Sequence, residues 1–247
     1  MKPAGRLIIS DPLAGPENMS LDQAMLESTQ QTGTPVLRFY RWTPATLSLG
    51  YFQKAADRKL QAASLDCPII RRASGGGAIV HDDELTYSIC IRTSGSIAKA
   101  NEGLYDTVHQ SICKALASQD FAVSLYPEVT SASRSDPFLC FQRRAKGDII
   151  CGTDKVGGSA QRRLKNALIQ HGSLLLSQSQ FAPELPGLKE LCGHRVNVGT
   201  LIAEIVQELA SRTGMEFEPS EPSQGEQQRA AEISAEKFAS ESWLNKR

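Results

Sequence analysis

Four short stretches hold residue types that do chemistry. In RRASGGGAIVHDDELTYS, Arg71 and Arg72 precede Ser74, three consecutive glycines (Gly75, Gly76, Gly77), Ala78 and then His81. A tripled glycine weakens a strand interior, because it loses more backbone entropy and packs no side chain. Backbone N–H groups on such a loop can cradle an anion, or the bare chain can lie flat against an apolar tail. The arginines suit phosphate or carboxylate. The plainer alternative is a bulge or tight hairpin with two surface arginines, which rarely needs three glycines. In TDKVGGSAQRR, Lys155 precedes Val156, Gly157, Gly158, Ser159 and Ala160. A lysine there could hold a carbonyl or phosphate oxygen as negative charge develops; alone, Asp154 and Lys155 also read as a polar hairpin tip.

In IQHGSLLL, His171 lies within an apolar strand, where a satisfied core histidine and a pocket wall compete; Gly172 beside it favours the wall. In FLCFQRR, Cys140 is followed by Arg143, Arg144 and Lys146. Positive charge stabilises a thiolate, so a cysteine in a polar, cationic loop is a candidate nucleophile. It needs a base or an oxyanion donor, and only the fold could bring His171 or Lys155 to it.

The rest of the chain bounds these readings. It has 247 residues, with 27 basic and 27 acidic side chains, 40% apolar and 22% charged content. This is the composition of an ordinary globular enzyme, and the charge balance carries no bulk signal for nucleic acid or membrane. The start, MKPAGRLIIS, is interrupted by Asp11 and Pro12 too soon for a signal peptide, and no apolar run approaches the ~20 residues that span a bilayer. A cytoplasmic protein is expected. The six cysteines contain no CxxC pair, which argues against a disulfide framework or a zinc site, and no metal is expected. Cys67, Cys90 and Cys113 lie in apolar segments and read as buried small hydrophobes.

The elements that must position these residues follow from periodicity. Residues 6–10 read as a strand, and NMSLDQAMLESTQ as an amphipathic helix capped near Met19 or Ser20. VLRFYRW and TLSLGYF are strands around a Thr43-Pro44 turn, and KAADRKLQAAS is a short helix. PIIRRA, AIVH and LTYSICI are strands around the glycines; NEGLYDTVHQSICKALASQDF is the clearest helix. Residues 131–146 form a long polar loop around Cys140. DIICG, KVGGSAQRR and NALIQHGSLLL are three strands with tight turns, and GTLIAEIVQELASRTG is a helix. EPSEPSQGEQ is linker-like and leads into one final helix over residues 227–247. The order predicts an α+β fold, a mixed β-sheet flanked by helices, with residues 1–218 as the catalytic unit and 219–247 as a linker and helix packed on it. The glycine run lacks the GxGxxG spacing of a dinucleotide fold.

RRASGGGAIVHDDELTYS, KVGGSAQRR and ALIQHGSLLL, in that order, resemble the lipoate-protein ligase A and octanoyltransferase family, which shares its catalytic fold with biotin-protein ligases. NMSLDQAMLE, LRFYRWTPATLSLGYFQ and AEKFASESWLNKR look like its flanking elements. The resemblance implies acylation of one lysine on a lipoyl domain, in glycine-cleavage H protein or an E2 subunit of a 2-oxoacid dehydrogenase. Ligases of this family use ATP and Mg to make an acyl-adenylate. Transferases take octanoyl from acyl carrier protein through a cysteine thioester, without a cofactor. On the ligase pattern Arg72 and the turn from Gly75 to Ala78 would hold phosphate, and Lys155 would meet the acyl carbonyl. On either pattern the glycines and residues 156–160 would line an apolar tunnel, leaving the arginines to face an anion. The pair Cys140-Phe141 ahead of Asp148 matches the placement of the nucleophile in cysteine-dependent octanoyltransferases, and long-type ligases carry an extra domain that is not present up to Arg247. The basic run from Gln142 to Lys146 departs from that pattern. An amidotransferase moving octanoyl from H protein to E2, the ligase, and a non-catalytic acyl-binding module stand as alternatives.

Overall fold

The computed structural model describes residues 4–93, 97–127 and 137–247; residues 131–136 of the expected polar loop lie outside them. β1 (Gly5–Ile9) and β2 (Val36–Tyr40) are parallel, joined by α1 (Gly15–Thr32). The helix begins well before Met19. Pro16 lies in its first turn, where a missing N–H costs nothing, and Glu17 accepts from the Ala14 N–H at 3.1 Å. Gly33, at φ 79, ends it in the left-handed region that glycine tolerates.

Next come β3 (Thr46–Leu49), β4 (Ile69–Arg71) and β5 (Ile79–His81), which form a separate small sheet in the order β4-β3-β5. After β6 (Glu84–Arg92) follow α2 (Ile97–Ala117), β7 (Val123–Leu125), β8 (Ile149–Cys151), β9 (Asp154–Leu164) and β10 (Ala167–Leu175). The chain closes with α3 (Leu188–Cys192), α4 (Val198–Thr213), β11 (Phe217–Pro219), α5 (Gln224–Ile233) and α6 (Glu241–Leu244). The large sheet has the order β11-β1-β2-β6-β10-β9-β8-β7; β11, β1 and β2 are parallel, and the pairings from β2 onward are antiparallel.

Strand alternation sends neighbouring residues to opposite layers. Leu37, Ile89 and Leu168 face α2 and α4, packing with Val108, Ile112, Leu201 and Leu209. Val36, Cys90 and Ile169 face α1, packing with Met25 and Leu26. Each fully buried aliphatic side chain contributes roughly 1.5–3 kcal/mol, so the two layers hold the sheet from both sides. The protein is thus a mixed α+β fold with a large mixed sheet flanked by helices.

Several expected elements change. Residues 54–64 make two short 3-10 turns rather than a helix, because no apolar stripe is buried there; Leu60 is 65% exposed. The linker-like stretch begins as β11, hydrogen-bonded beside β1, and Ser223 then caps α5 by accepting from the Glu226 N–H. The final helix is broken. A wide π-type turn spans Ser234–Phe238, and the Ser240 hydroxyl caps α6 separately by accepting from the Trp243 N–H. No helix among the described residues is long and apolar enough to cross a membrane.

Candidate active site

Cys140 reaches the glycine loop through a short parallel bridge. The Ala78 N–H donates to Phe138 O and the Cys140 N–H donates to Ala78 O, both at 2.8 Å. A Cβ on Gly77 would stand 2.9 Å from Cys140 N, closer than real side chains come. Gly77 is therefore bare to admit the protein's own backbone, where the sequence suggested a ligand. Gly76 has φ +95, and a Cβ there would lie 2.9 Å from Arg72 Nη2 and 3.9 Å from Cys140 Sγ. Gly50, which the sequence reading passed over, serves the same contact from the other side, since its Cβ would overlap Gly76 O.

The β8–β9 hairpin places Lys155 under the thiol. Its Nζ is 2.8 Å from Asp148 Oδ2, 3.8 Å from Cys140 Sγ and 5.5 Å from the centre of the Phe141 ring. Asp148 is buried and also accepts from the Ala145 N–H at 2.7 Å and the Tyr105 hydroxyl at 3.2 Å. An ammonium held this way stands where negative charge would develop during attack by sulfur on a carbonyl. His109 lies behind it, with Nδ1 2.6 Å from Gly147 O and Nε2 2.9 Å from Ser159 Oγ. Burial pulls its pKa down to about 4, so the ring is neutral; Nδ1–H donates to the carbonyl and Nε2 accepts from the serine.

The two arginines part company. Arg72 is buried beside Cys140, and its four terminal donor contacts go to Ser48 O, Ser48 Oγ, Gly75 O and Gly77 O at 2.6–3.1 Å. Burial lowers its pKa to about 10, with the Cys140 sulfur the main opposing influence. Arg72 braces the loop and keeps positive charge near the sulfur. Arg71, expected to face an anion, turns away. Its guanidinium donates to Gly50 O, Tyr51 O, Gln53 O, Trp243 O and Leu244 O, fastening the C-terminal segment to β4. Adjacent positions on a strand point to opposite faces, which is why only one of the two meets the cavity.

At the other end stand the histidines. His171 Nε2 is 2.5 Å from Ser74 Oγ and its Nδ1 is 3.7 Å from Asp22 Oδ2. Asp22 accepts from Arg38 Nη1 at 2.9 Å, the Tyr40 hydroxyl at 2.8 Å and the Ser88 hydroxyl at 2.8 Å. Burial pushes the Asp22 carboxyl up, yet His171 and Arg38 together hold it below the usual range. His81 stacks on Trp42 with ring centres 3.8 Å apart and pairs through Nδ1 with Glu84 Oε1 at 2.6 Å.

A mostly carbon-lined cavity of about 530 Å³, counting its open mouth, joins the two ends. Of the residues singled out in the sequence, it brings together Arg72, Gly75, Gly76, His81, Cys140, Lys155, Gly158, Ser159, Ala160, His171 and Gly172. Ser74 borders the neighbouring cavity instead. Ala78 and Val156 are buried in the core clusters, and a Cβ on Gly157 would press on Ile149 rather than on the cavity. Trp42, Met19, Ile79 and Phe141 are among the further residues of the wall, and the sequence did not mark them as lining.

Residues 14–185 match the lipoyl protein ligase A/B catalytic domain. The chain belongs to that family. Among curated members, an octanoyltransferase LipM of Moorella thermoacetica is 30% identical over 269 residues, covering 97% of this chain and 96% of its own length. The octanoyltransferase LipM of Clostridioides difficile is 30% identical, covering 98% of each. The family fold is equally clear in solved structures. Lipoate-protein ligase A bound with ATP superposes at a TM-score of 0.80 with 20% identity over 98% of each chain. A bi-partite lipoate protein ligase of Thermoplasma acidophilum, described with its E2 lipoyl domain, gives 0.75 with 18% identity, covering 98% of this chain and 96% of that one. Within this family framework, Asp148, His109, Asp22 and Glu84 are the functional-site neighbours that sequence reasoning missed. Glu84 and Asp22 lie inside stretches that resemble the family, and Asp148 follows the Cys140-Phe141 pair. Only the ion pair or hydrogen bond that each of the four makes in the fold marks its place at the site.

Proposed function

We propose that the chain transfers an octanoyl group from acyl carrier protein to one lysine of a lipoyl domain, in glycine-cleavage H protein or a 2-oxoacid dehydrogenase E2 subunit, through a thioester on Cys140. The observation that carries this reading is Cys140 Sγ lying 3.8 Å from the Lys155 ammonium at one end of an apolar cavity. Relatives of near-equal length are octanoyltransferases by name, which agrees with it. Sulfur attacks the octanoyl carbonyl, the new S–C bond forms, and the carrier's S–C bond breaks; the carrier leaves as a thiol with the proton Cys140 gave up. The acceptor amine then attacks the Cys140 thioester, the C–S bond breaks, and the proton lost from nitrogen restores the thiol. Amide formation from a thioester runs downhill, so the cycle needs no cofactor.

Lys155 stabilises the oxyanion in both steps, with Asp148 holding it in place. The glycine loop and the segment from Gly158 to Ala160 enclose the acyl chain, and His81, His171 and Gly172 shape its far wall. ATP and Mg belong to the ligase chemistry, for which Arg72 would have to free donors that it now spends on Ser48, Gly75 and Gly77. Residues 219–247 act in this reading as a brace on the catalytic unit 1–218, and a cytoplasmic placement goes with the carrier-bound donor.

The test is intact-protein mass spectrometry of wild type and Cys140→Ala mixed with octanoyl-acyl carrier protein and no ATP. A hydroxylamine-sensitive octanoyl adduct on wild type, missing from the variant, is expected. No adduct, together with ATP-dependent transfer of free lipoate by both proteins, would overturn the thioester route in favour of a ligase.

A further inference from the structure

A second cavity, of about 710 Å³ including its open side, adjoins the first and shares Gly75 with it. Gly75 stands on the wall of both, so the two cavities meet at the glycine loop. Its wall carries Arg162 from β9 and Lys237 and Lys246 from the C-terminal segment, between the rings of Tyr51, Phe52 and Trp243. None of its described lining residues is acidic.

Cations elsewhere in the fold are held in two ways. Arg38, Lys155 and Arg6 are matched with the carboxylates of Asp22, Asp148 and Glu226, whereas Arg71 and Arg72 are buried and spend their donors on oxygens of the chain itself. Here the partners are neutral. Lys237 Nζ donates to Gln23 Oε1 at 2.5 Å and stands 4.5 Å from the Trp243 ring centre. Lys246 Nζ lies 4.7 Å from the same ring and 5.4 Å from that of Tyr51. Arg162 Nη1 donates to Ala73 O at 3.0 Å. Arg247 adds a further cation 5.5 Å from the Tyr51 ring. The carboxylate with most influence on Arg162 and Lys237 is Glu27, which already pairs with Arg229 at 2.8 Å. Burial and then the charge of Arg162 bring the Lys237 pKa down to about 8, as expected of an ammonium lacking a counter-charge. Like charges turned on one open space repel, and an anion placed among them would relieve that repulsion.

We propose that this second cavity binds the phosphate ester of the donor's phosphopantetheine arm between Arg162, Lys237 and Lys246; the inference rests on the transferase reading given above. The arm joins a phosphate to a thioester through a chain of amides and methylenes, so a phosphate held here lets the chain run past Gly75 towards Cys140. The aromatic rings at the rim suit the uncharged part of the arm. An approaching lysine ammonium would be repelled by the same cations, so the site fits the donor and not the acceptor's side chain. The C-terminal segment, fastened by Arg71, becomes part of the donor site through Lys237, Trp243 and Lys246.

The experiment compares two small donors, octanoyl-4′-phosphopantetheine and octanoyl-pantetheine, in acylating Cys140 without ATP. Reading the ratio of their kcat/KM values within each protein cancels any general loss of activity in a variant. In wild type the phosphorylated donor should be favoured about tenfold or more, the scale of one or two charge-assisted hydrogen bonds. Arg162→Gln and Lys237→Gln should bring the ratio close to one, and Lys237→Arg should restore part of it. A ratio near one in wild type, or an equal ratio in all four proteins, overturns the site while leaving Cys140 acylation standing. If no donor, octanoyl-acyl carrier protein included, acylates Cys140, the transferase reading fails, and calorimetry decides the site separately. There 4′-phosphopantetheine should bind wild type about tenfold tighter than Lys237→Gln. If that substitution instead weakens only ATP, the phosphate belongs to a nucleotide and the proposal falls.

Discussion

The two ends of the main cavity are built from different parts of the sheet. At the histidine end Asp22, Arg38, Thr86 and His171 stand on α1, β2, β6 and β10, at the middle of the fold. At the thiol end Cys140 and Asp148 come from loop segments, and Lys155 from a hairpin towards the sheet's β7 edge. The charges differ accordingly. Arg38 and Asp22 are bonded to each other and to Asn18, Ser10, Tyr40 and Ser88. Lys155 has one carboxylate partner and otherwise faces a sulfur at 3.8 Å. Buried charges at a sheet centre are costly unless fully bonded, so they fix shape; reactive groups sit where the backbone leaves room for a substrate.

That contrast breaks first under substitution of its central pair. Asp22→Ala would strand the Arg38 guanidinium without its counter-charge, and a loss of about 3–5 kcal/mol in unfolding free energy is expected from urea titration. If the variant unfolds like wild type, the histidine end is not the rigid one. Lys155→Met asks the opposite question. It should lower the rate of octanoyl transfer by the folded enzyme about 10²–10³-fold, as loss of one oxyanion donor does. It should also lower the urea midpoint, because the buried Asp148 loses its counter-charge. A collapse in stability with the remaining folded enzyme fully active would reverse the assignment.

The smallest effect concerns acid. His109 is neutral in the fold, with a pKa of about 4 against an ordinary 6.5. The unfolded chain therefore takes up the proton first as pH falls. The stabilisation is complete above 6.5 and is lost progressively down to about 4, up to roughly 3 kcal/mol. Stability measured against pH for wild type and His109→Gln should diverge over that window, wild type falling more steeply. Parallel curves would mean that the ring is already open to water.

By itself the sequence determined the strand and helix content, the glycine loop, and the candidate chemistry at Cys140 and Lys155. These rest on local rules: period-2 and period-3.6 patterning, glycine's bare backbone, and the pairing of residue types that resembles one family. Element ends were less legible. The true start of α1 depends on Glu17 reaching back to Ala14, and the final helix breaks where Ser240 caps a new turn. Only the tertiary structure decided which partner each charge received. Nothing local distinguishes Arg71 from Arg72, yet one fastens the chain's end and the other braces the loop beside the thiol. Nothing local joins Asp22 to His171, or His109 to Ser159, which meet only when α1, α2 and β10 pack on the sheet. Gly77 was conspicuous in the sequence, but its reason lay in the backbone of Cys140, brought across by a bridge between segments far apart in the chain. Patterning is written between near neighbours, whereas burial, close approach and ion pairing are made between distant ones.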